Sequence, residues 1–272
     1  MISRTMISMS SMVEKLAALE ATLRAHAPLA VAYSGGVDSA CLLAVAHRTL
    51  GDRALGVIAD SPSLPRAALA EALETARGFG ATVEVVKTEE LDDPRYAENP
   101  INRCYFCKAE LFQRMDALAR ERGFAAIAYG ENADDPAHLR PGSQAAAEFA
   151  VLAPLKQAGL TKADVRALSR ELGLPTADAP AQPCLSSRIP HGTPVTREAL
   201  ALVERGEAAV RALGFRVFRV RYLDGAPPSA RVQISPEEMP RLDSLRDPLE
   251  NDLRAAGFAS VEIDPAGYRS PA

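Results

Sequence analysis

The sequence predicts an α/β protein: a doubly wound parallel sheet over residues 1–190, with a small C-terminal α+β domain over 191–272. Three observations lead there. Short apolar or β-branched stretches alternate with amphipathic helical stretches through the first two thirds of the chain, the spacing of βαβ units. The first of these strands runs into an apolar helix through a turn of serine and glycine. Beyond Pro194 the alternation gives way to helix, strand, strand, helix, strand.

Taken in order, Met12, Leu16, Leu19 and Leu23 make a helical stripe, and Ser11 with Glu14 reads as a capping box at its start. Leu29 to Ala32 is the first strand and Ala40 to Ala46 the core of the helix behind it. Ala54 to Ala59 is a second strand, followed by an amphipathic helix from about Pro65 to Arg77 and a third strand, Thr82 to Val86. A helix from about Lys108 to Arg122 precedes a fourth strand, Ala126 to Tyr129. Thr161 to Asp164 caps a helix that Gly173 and Pro175 end. Ala177 to Pro194, with four prolines, reads as loop. The tail places a helix at Arg197–Leu213, strands at Phe215–Tyr222 and Arg231–Ser235, a helix ending near Gly257, and a last strand at Val261–Asp264.

With 272 residues, 47% hydrophobic and 24% charged, the chain buries an ordinary globular core. A formal charge of −4 lacks the basic footprint of a nucleic-acid binder. No apolar run approaches a membrane span, and Met1 to Met12 lacks the apolar centre of a signal peptide, so a cytoplasmic protein without a membrane partner is expected. Assembly into a homo-oligomer acting on a small molecule is expected as well. Four cysteines, two of them at C-x-x-C spacing, then read as metal-binding or catalytic thiols rather than a disulfide framework.

The chemistry starts at Ser34-Gly35-Gly36-Val37-Asp38-Ser39. Gly35 and Gly36 permit positive φ and close approach of a ligand, and their N–H groups with those of the next helix suit phosphate. Ser34 and Ser39 add hydroxyl donors. Asp38 meets phosphate only through Mg²⁺, which takes carboxylate and phosphate oxygens together. The spacing is too short for a Walker A loop and no Lys follows. Asp60-Ser61 and Gly130-Glu131-Asn132 also lie at carboxyl ends of strands, where doubly wound sheets bind ligands. Glu131, Asn132 and Asp135 suit Mg²⁺ or nucleotide, or else form an acidic surface loop. S-G-G-V-D-S resembles the PP-loop of the ATP pyrophosphatase superfamily, whose members cleave ATP between the α- and β-phosphates and adenylate a substrate. An ordinary strand-to-helix turn is the competing reading.

Cys104 and Cys107, in Asn99-Pro100-Ile101-Asn102-Arg103-Cys104-Tyr105-Phe106-Cys107-Lys108, can bind one metal centre from a single turn, or serve as a redox dithiol. Cys184 sits in the loop Gln182-Pro183-Cys184-Leu185-Ser186-Ser187-Arg188, where Arg188 would hold a phosphate or carboxylate and lower the thiol's pKa. Three thiolates without a fourth leave a cluster iron with an open position. Cys41 lies on the apolar helix and reads as buried filler. Along Phe218 to Tyr222 the strand period puts Arg219 and Arg221 on one face, suited to two-arginine capture of a phosphate; a solvated basic face is the alternative. His26, His47, His138 and His191 show no metal-ligand spacing.

Taken together, S-G-G-V-D-S, N-P-x-N-R-C-Y-F-C-K, G-E-N-x-D-D with R-P-G, P-C-L-S-S-R and D-P-x-G-Y-R-S resemble the LarE family over nearly the whole chain. Those ATP-dependent sulfur transferases make the nickel-pincer nucleotide cofactor of lactate racemase. The resemblance implies a PP-loop adenine nucleotide hydrolase-like fold, adenylation of a carboxylate of pyridinium-3,5-biscarboxylic acid mononucleotide, release of pyrophosphate, and conversion to a thiocarboxylate. In one branch a single cysteine gives up its own sulfur and becomes dehydroalanine. Another carries three cysteines and a [4Fe–4S] cluster, and Cys104, Cys107 and Cys184 match that pattern. The implied ATP site comprises Ser34 to Ser39, Asp60, Ser61 and Gly130, with Asp38 on Mg²⁺; Arg188, Arg219, Arg221 and Glu207 fall near the substrate phosphate. Ala230-Arg231-Val232-Gln233 stands where the family pattern has A-R-I-E, so that carboxylate is absent here. Rival classes are a PP-loop tRNA thiolase, which expects a basic surface; an ammonia-dependent adenylating synthetase, which needs no thiols; and a nucleotide-sensing or iron–sulfur scaffold, which would release no pyrophosphate.

Overall fold

The computed structural model describes residues 2–136 and 141–268. His138, Arg140 of the R-P-G motif and Arg269-Ser270 of the C-terminal motif lie outside the described residues. The chain divides into two compact units. The first takes residues up to Ser61, Arg66–Glu89 and Cys104–Ala179; the second takes Pro62–Pro65, Glu90–Arg103 and the chain from Pro180 onward.

In the first unit, α1 (Ile2–Ala25) leads to β1 (Leu29–Ala32), α2 (Val37–Leu50), β2 (Ala54–Asp60), α3 (Arg66–Gly78) and β3 (Val83–Lys87). Ser11 therefore lies inside α1 rather than capping it, because the helix continues through the polar Ser/Met stretch on its N-terminal side. α4 (Pro94–Ala97) belongs to the second unit. α5 (Arg103–Arg122) is followed by β4 (Ala126–Tyr129), α6 (Pro141–Glu148), α7 (Pro154–Gln157) and α8 (Lys162–Glu171). All four strands are parallel in the order β3-β2-β1-β4. The order reverses between β1 and β4, and ligands bind outside the carboxyl ends of strands at such a switch point. Val31, Ala30 and Leu29 are fully buried, which explains why β1 reads as an unbroken apolar run instead of an alternating one.

In the second unit, α9 (Arg197–Ala212), β5 (Phe218–Leu223), β6 (Ser229–Ile234), α10 (Leu242–Ala256) and β7 (Val261–Ile263) form a mixed sheet, β5-β6-β7, with two helices. β5 and β6 are antiparallel and β6 and β7 parallel. Phe218, Val220, Val232, Ile234, Leu249, Leu253 and Phe258 make one core, so the unit buries its own apolar face. Gly257 ends α10 at φ 118, where a side chain would be strained. Among the described residues no helix is long and apolar enough to cross a membrane.

Candidate active site

In the first unit the phosphate loop is built from β1 outward. Gly35 takes φ +75, and a Cβ there would come 2.6 Å from Ala72 Cβ, so glycine is required twice over. Gly36 instead has φ −73 and serves as the N-cap of α2; its use lies in a bare backbone, not in positive φ. Ser34 N and Ser34 Oγ each lie 3.1 Å from Ser39 Oγ, which donates to Gly36 O at 3.0 Å. The two serines thus lock the loop to the first turn of α2, where Val37 is buried. The N-terminus of this 14-residue helix adds its partial positive charge to the cradle.

Gly130, just past β4, faces that turn. A Cβ on it would lie 2.7 Å from Ser39 N and 2.9 Å from the Asp38 carbonyl carbon, so only glycine lets the end of β4 approach the first turn of α2. Asp38 accepts from Asn132 Nδ2 at 3.2 Å and from Lys162 Nζ at 2.5 Å. Asp60 forms an ion pair with Arg66, which also donates to Ser61 O at 2.5 Å. Glu131 is buried and accepts from Tyr129 and, at 2.9 Å, from Ser143 Oγ, with Lys156 Nζ 3.2 Å away. Burial alone would raise its pKa; the two hydroxyls and the ammonium together hold it below the ordinary carboxylate range. One rim therefore carries backbone donors, a carboxylate suited to a phosphate-bound Mg²⁺ and a lysine.

Cys104 is exposed and Cys107 half-buried, both in the opening turns of α5. Lys108 lies with Nζ 5.6 Å from the Phe112 ring centroid and 5.9 Å from that of Tyr129; burial pushes its pKa down. Cys41 is fully buried, and burial pushes its thiol up to about 11, which leaves it unreactive as expected of filler.

In the second unit, Cys184 opens a short 3-10 turn, Leu185–Arg188. Leu185 N donates to Ser63 O at 2.8 Å. Ser63, Tyr96 and Ser186 close a buried triangle of hydroxyls with edges of 2.7, 2.7 and 2.6 Å. Arg188 makes a two-pronged pair with Glu207 at 2.8 and 3.0 Å, and both side chains are buried. Its remaining nitrogen donates to Pro183 O at 2.6 Å and Cys184 O at 3.1 Å. Arg188 is thus occupied in holding the turn, where the sequence suggested a grip on phosphate. Asn99 clamps the chain beyond, donating to Pro190 O at 2.7 Å and Thr193 O at 2.8 Å. Arg219 and Arg221 do share one face of β5, with Phe218 and Val220 on the buried side. They line a cavity of about 400 Å³ together with Ser187, Gln233 and Tyr268. Burial, and then the Arg188 charge, pushes both guanidinium pKa values down.

Among the described residues, no group of three or more His, Cys, Asp or Glu side chains is placed to hold a metal ion. Of the three cysteines that match the cluster pattern, Cys104 and Cys107 belong to the first unit and Cys184 to the second.

No family model matches the chain. An uncharacterized protein of Synechocystis, slr1717, is 41% identical over 88% of this chain and 89% of its own length. The pyridinium-3,5-bisthiocarboxylic acid mononucleotide synthase of Lactiplantibacillus plantarum is 32% identical over 96% of this chain and 94% of its own. The chain belongs to the LarE-like family of PP-loop ATP pyrophosphatases. A more distant likeness is to the glutamine-hydrolyzing GMP synthase of Thermomicrobium roseum, 31% identical over 66% of this chain and 38% of that protein. The LarE-like chain is accordingly an adenylating enzyme of the PP-loop type, related also to amidotransferase-type synthetases. Lys162 carries no signal in the sequence beyond its place in a helix cap, yet it reaches Asp38 of the phosphate loop across 124 positions.

Proposed function

We propose that this LarE-like enzyme is an ATP-dependent sulfur transferase. In this reading it adenylates a carboxylate of pyridinium-3,5-biscarboxylic acid mononucleotide and converts it to a thiocarboxylate for the nickel-pincer nucleotide. The observation that carries the reading is the near full-length match to the Lactiplantibacillus synthase. Cys184 supports it as well: it is half-buried in a turn that Arg188 anchors, between Pro183 and Ser187, both of which line the arginine cavity.

A carboxylate oxygen of the substrate attacks the α-phosphorus of ATP; a P–O bond forms and the bond to the β-phosphate oxygen breaks, releasing pyrophosphate. The bare backbone at Gly35 and Gly36 and the start of α2 hold the phosphates, and Lys162 stands where negative charge develops. Asp38 would hold Mg²⁺, which would supply charge neutralisation for the departing pyrophosphate. Arg219 and Arg221 hold the substrate's own phosphate. Cys184 Sγ then displaces AMP at the acyl carbon, forming C–S and breaking C–O; loss of the cysteine's α-proton and cleavage of its Cβ–Sγ bond then release the thiocarboxylate and leave dehydroalanine at position 184. The resemblance adds a [4Fe–4S] cluster on Cys104, Cys107 and Cys184. Those three thiolates would hold it and leave one iron open for sulfide, although among the described residues no such group is gathered around a metal position.

The test is to add ATP, Mg²⁺ and the biscarboxylate mononucleotide to anaerobically purified protein. Pyrophosphate release with a sulfur-for-oxygen mass change in the nucleotide is the expected outcome. A second reading, favoured by the likeness to GMP synthase, is an ammonia-dependent synthetase in which ammonia attacks the adenylate. Replacing Cys184 with Ala would leave that activity intact.

A further inference from the structure

The Arg219–Arg221 cavity contains a relay that the phosphate reading leaves unexplained. Gln233 lies on β6 directly opposite Arg219. Its Oε1 accepts from Arg221 Nε at 2.9 Å, and its Nε2 donates to Asp264 Oδ2 at 2.8 Å. A guanidinium can only donate and a carboxylate can only accept, so this orientation of the amide is the one that satisfies both neighbours. Arg221 is also fixed from its other side, donating to Ser187 O at 2.8 Å. Asp264 is held in turn by Ala266 N at 3.0 Å, and Arg219 stacks on the Tyr268 ring with its guanidinium carbon 4.4 Å from the centroid.

Among the described residues, few charges face this cavity. Arg188 pairs with Glu207, and Arg231 with Glu262. Among the described residues that leaves Arg219 and Arg221 against Asp264, a surplus of one positive charge. A carboxylate at 233 would cancel the surplus. It would also set two anions at hydrogen-bond distance from each other, where Gln233 now sets an amide N–H against Asp264.

We infer that Gln233 determines the ligand charge this cavity accepts, keeping it net positive while aiming Arg221, so that it selects a phosphate dianion over the same ligand without phosphate. The inference rests on the reading that Arg219 and Arg221 take the phosphate of a pyridine mononucleotide, and it extends that reading to selectivity.

Titration calorimetry on the full chain at fixed ionic strength tests it, with nicotinic acid mononucleotide and nicotinic acid riboside as probes. The wild-type protein is expected to prefer the mononucleotide. Gln233→Glu is expected to shrink that preference about tenfold, the scale of one added like charge at this separation, with riboside affinity unchanged. Gln233→Glu combined with Asp264→Asn restores the surplus charge and is expected to recover the preference, which a merely damaged fold would not. Equal weakening of both ligands, or no recovery in the double variant, overturns the role of Gln233. An unchanged preference in Gln233→Glu overturns it while leaving the phosphate assignment standing. A wild-type protein indifferent to the phosphate overturns the assignment itself and the inference with it.

Discussion

Lys162 Nζ lies 2.5 Å from Asp38 Oδ2, joining the start of α8 to the phosphate loop. The ammonium is partly exposed, so ATP can draw it from the carboxylate to the phosphates, which would free Asp38 to hold Mg²⁺. Lys162→Met is therefore expected to lower pyrophosphate release about a hundredfold, the usual cost of losing one donor to developing charge. An unchanged rate in a coupled pyrophosphate assay would remove Lys162 from the site.

Gly130 is predicted to tolerate no side chain. The Cβ of Gly130→Ala would meet the backbone of Asp38 and Ser39, so the loop must shift. We expect at least a tenfold loss of ATP affinity by equilibrium dialysis, with a stability cost of about 1–3 kcal/mol. Normal ATP binding by the variant would show that the loop does not need this close approach.

Arg188 and Glu207 form a buried ion pair whose separation strands a charge. Arg188→Met alone is expected to destabilise the second unit by about 3–5 kcal/mol, and Arg188→Met with Glu207→Leu to recover most of that loss. Urea titration followed by circular dichroism reads both. A double variant as unstable as the single one would mean that the hydrogen bonds to Pro183 and Cys184, rather than the paired charge, hold the turn.

Glu131 gives a pH dependence with a definite sign. Its folded pKa lies below its unfolded value, so between the two the unfolded chain binds more protons and stability rises with pH. The contribution is complete above the ordinary glutamate range and is lost as pH falls through the folded value. Glu131→Gln should flatten the melting-temperature profile between about pH 5 and pH 3. Asp164, also held low despite its burial by Lys15 and the helix cap, keeps some slope in the variant. A steeper acid slope in Glu131→Gln would contradict the network.

The sheet was legible because its strands are bounded by turn residues and its first helix is apolar through most of its length. The Thr161–Asp164 box forms as its spacing suggests. Three helices escaped a periodic reading. α4 and α7 are single turns opened by Pro94 and Pro154, and α6 begins at Pro141, so none offers enough turns to show a stripe. α5 begins at Arg103, ahead of the expected Lys108, because Cys-Tyr-Phe-Cys offers neither a capping residue nor a polar face. In the site, residue types at strand ends were readable, but their partners were not. Arg188 reads as a free cation until Glu207, nineteen positions away, is seen buried against it. Asn132 and Lys162 reach Asp38 over 94 and 124 positions, distances at which no local period carries information.

The proposed enzyme both adenylates a carboxylate and replaces its oxygen with sulfur delivered at Cys184. The most direct measurement compares wild-type protein with Cys184→Ala, scoring pyrophosphate and thiocarboxylate in the same reaction with ATP and the biscarboxylate mononucleotide. Pyrophosphate from both proteins and thiocarboxylate from the wild type alone are the expected outcome. Thiocarboxylate from Cys184→Ala at the wild-type rate, or no pyrophosphate from either protein, would contradict it.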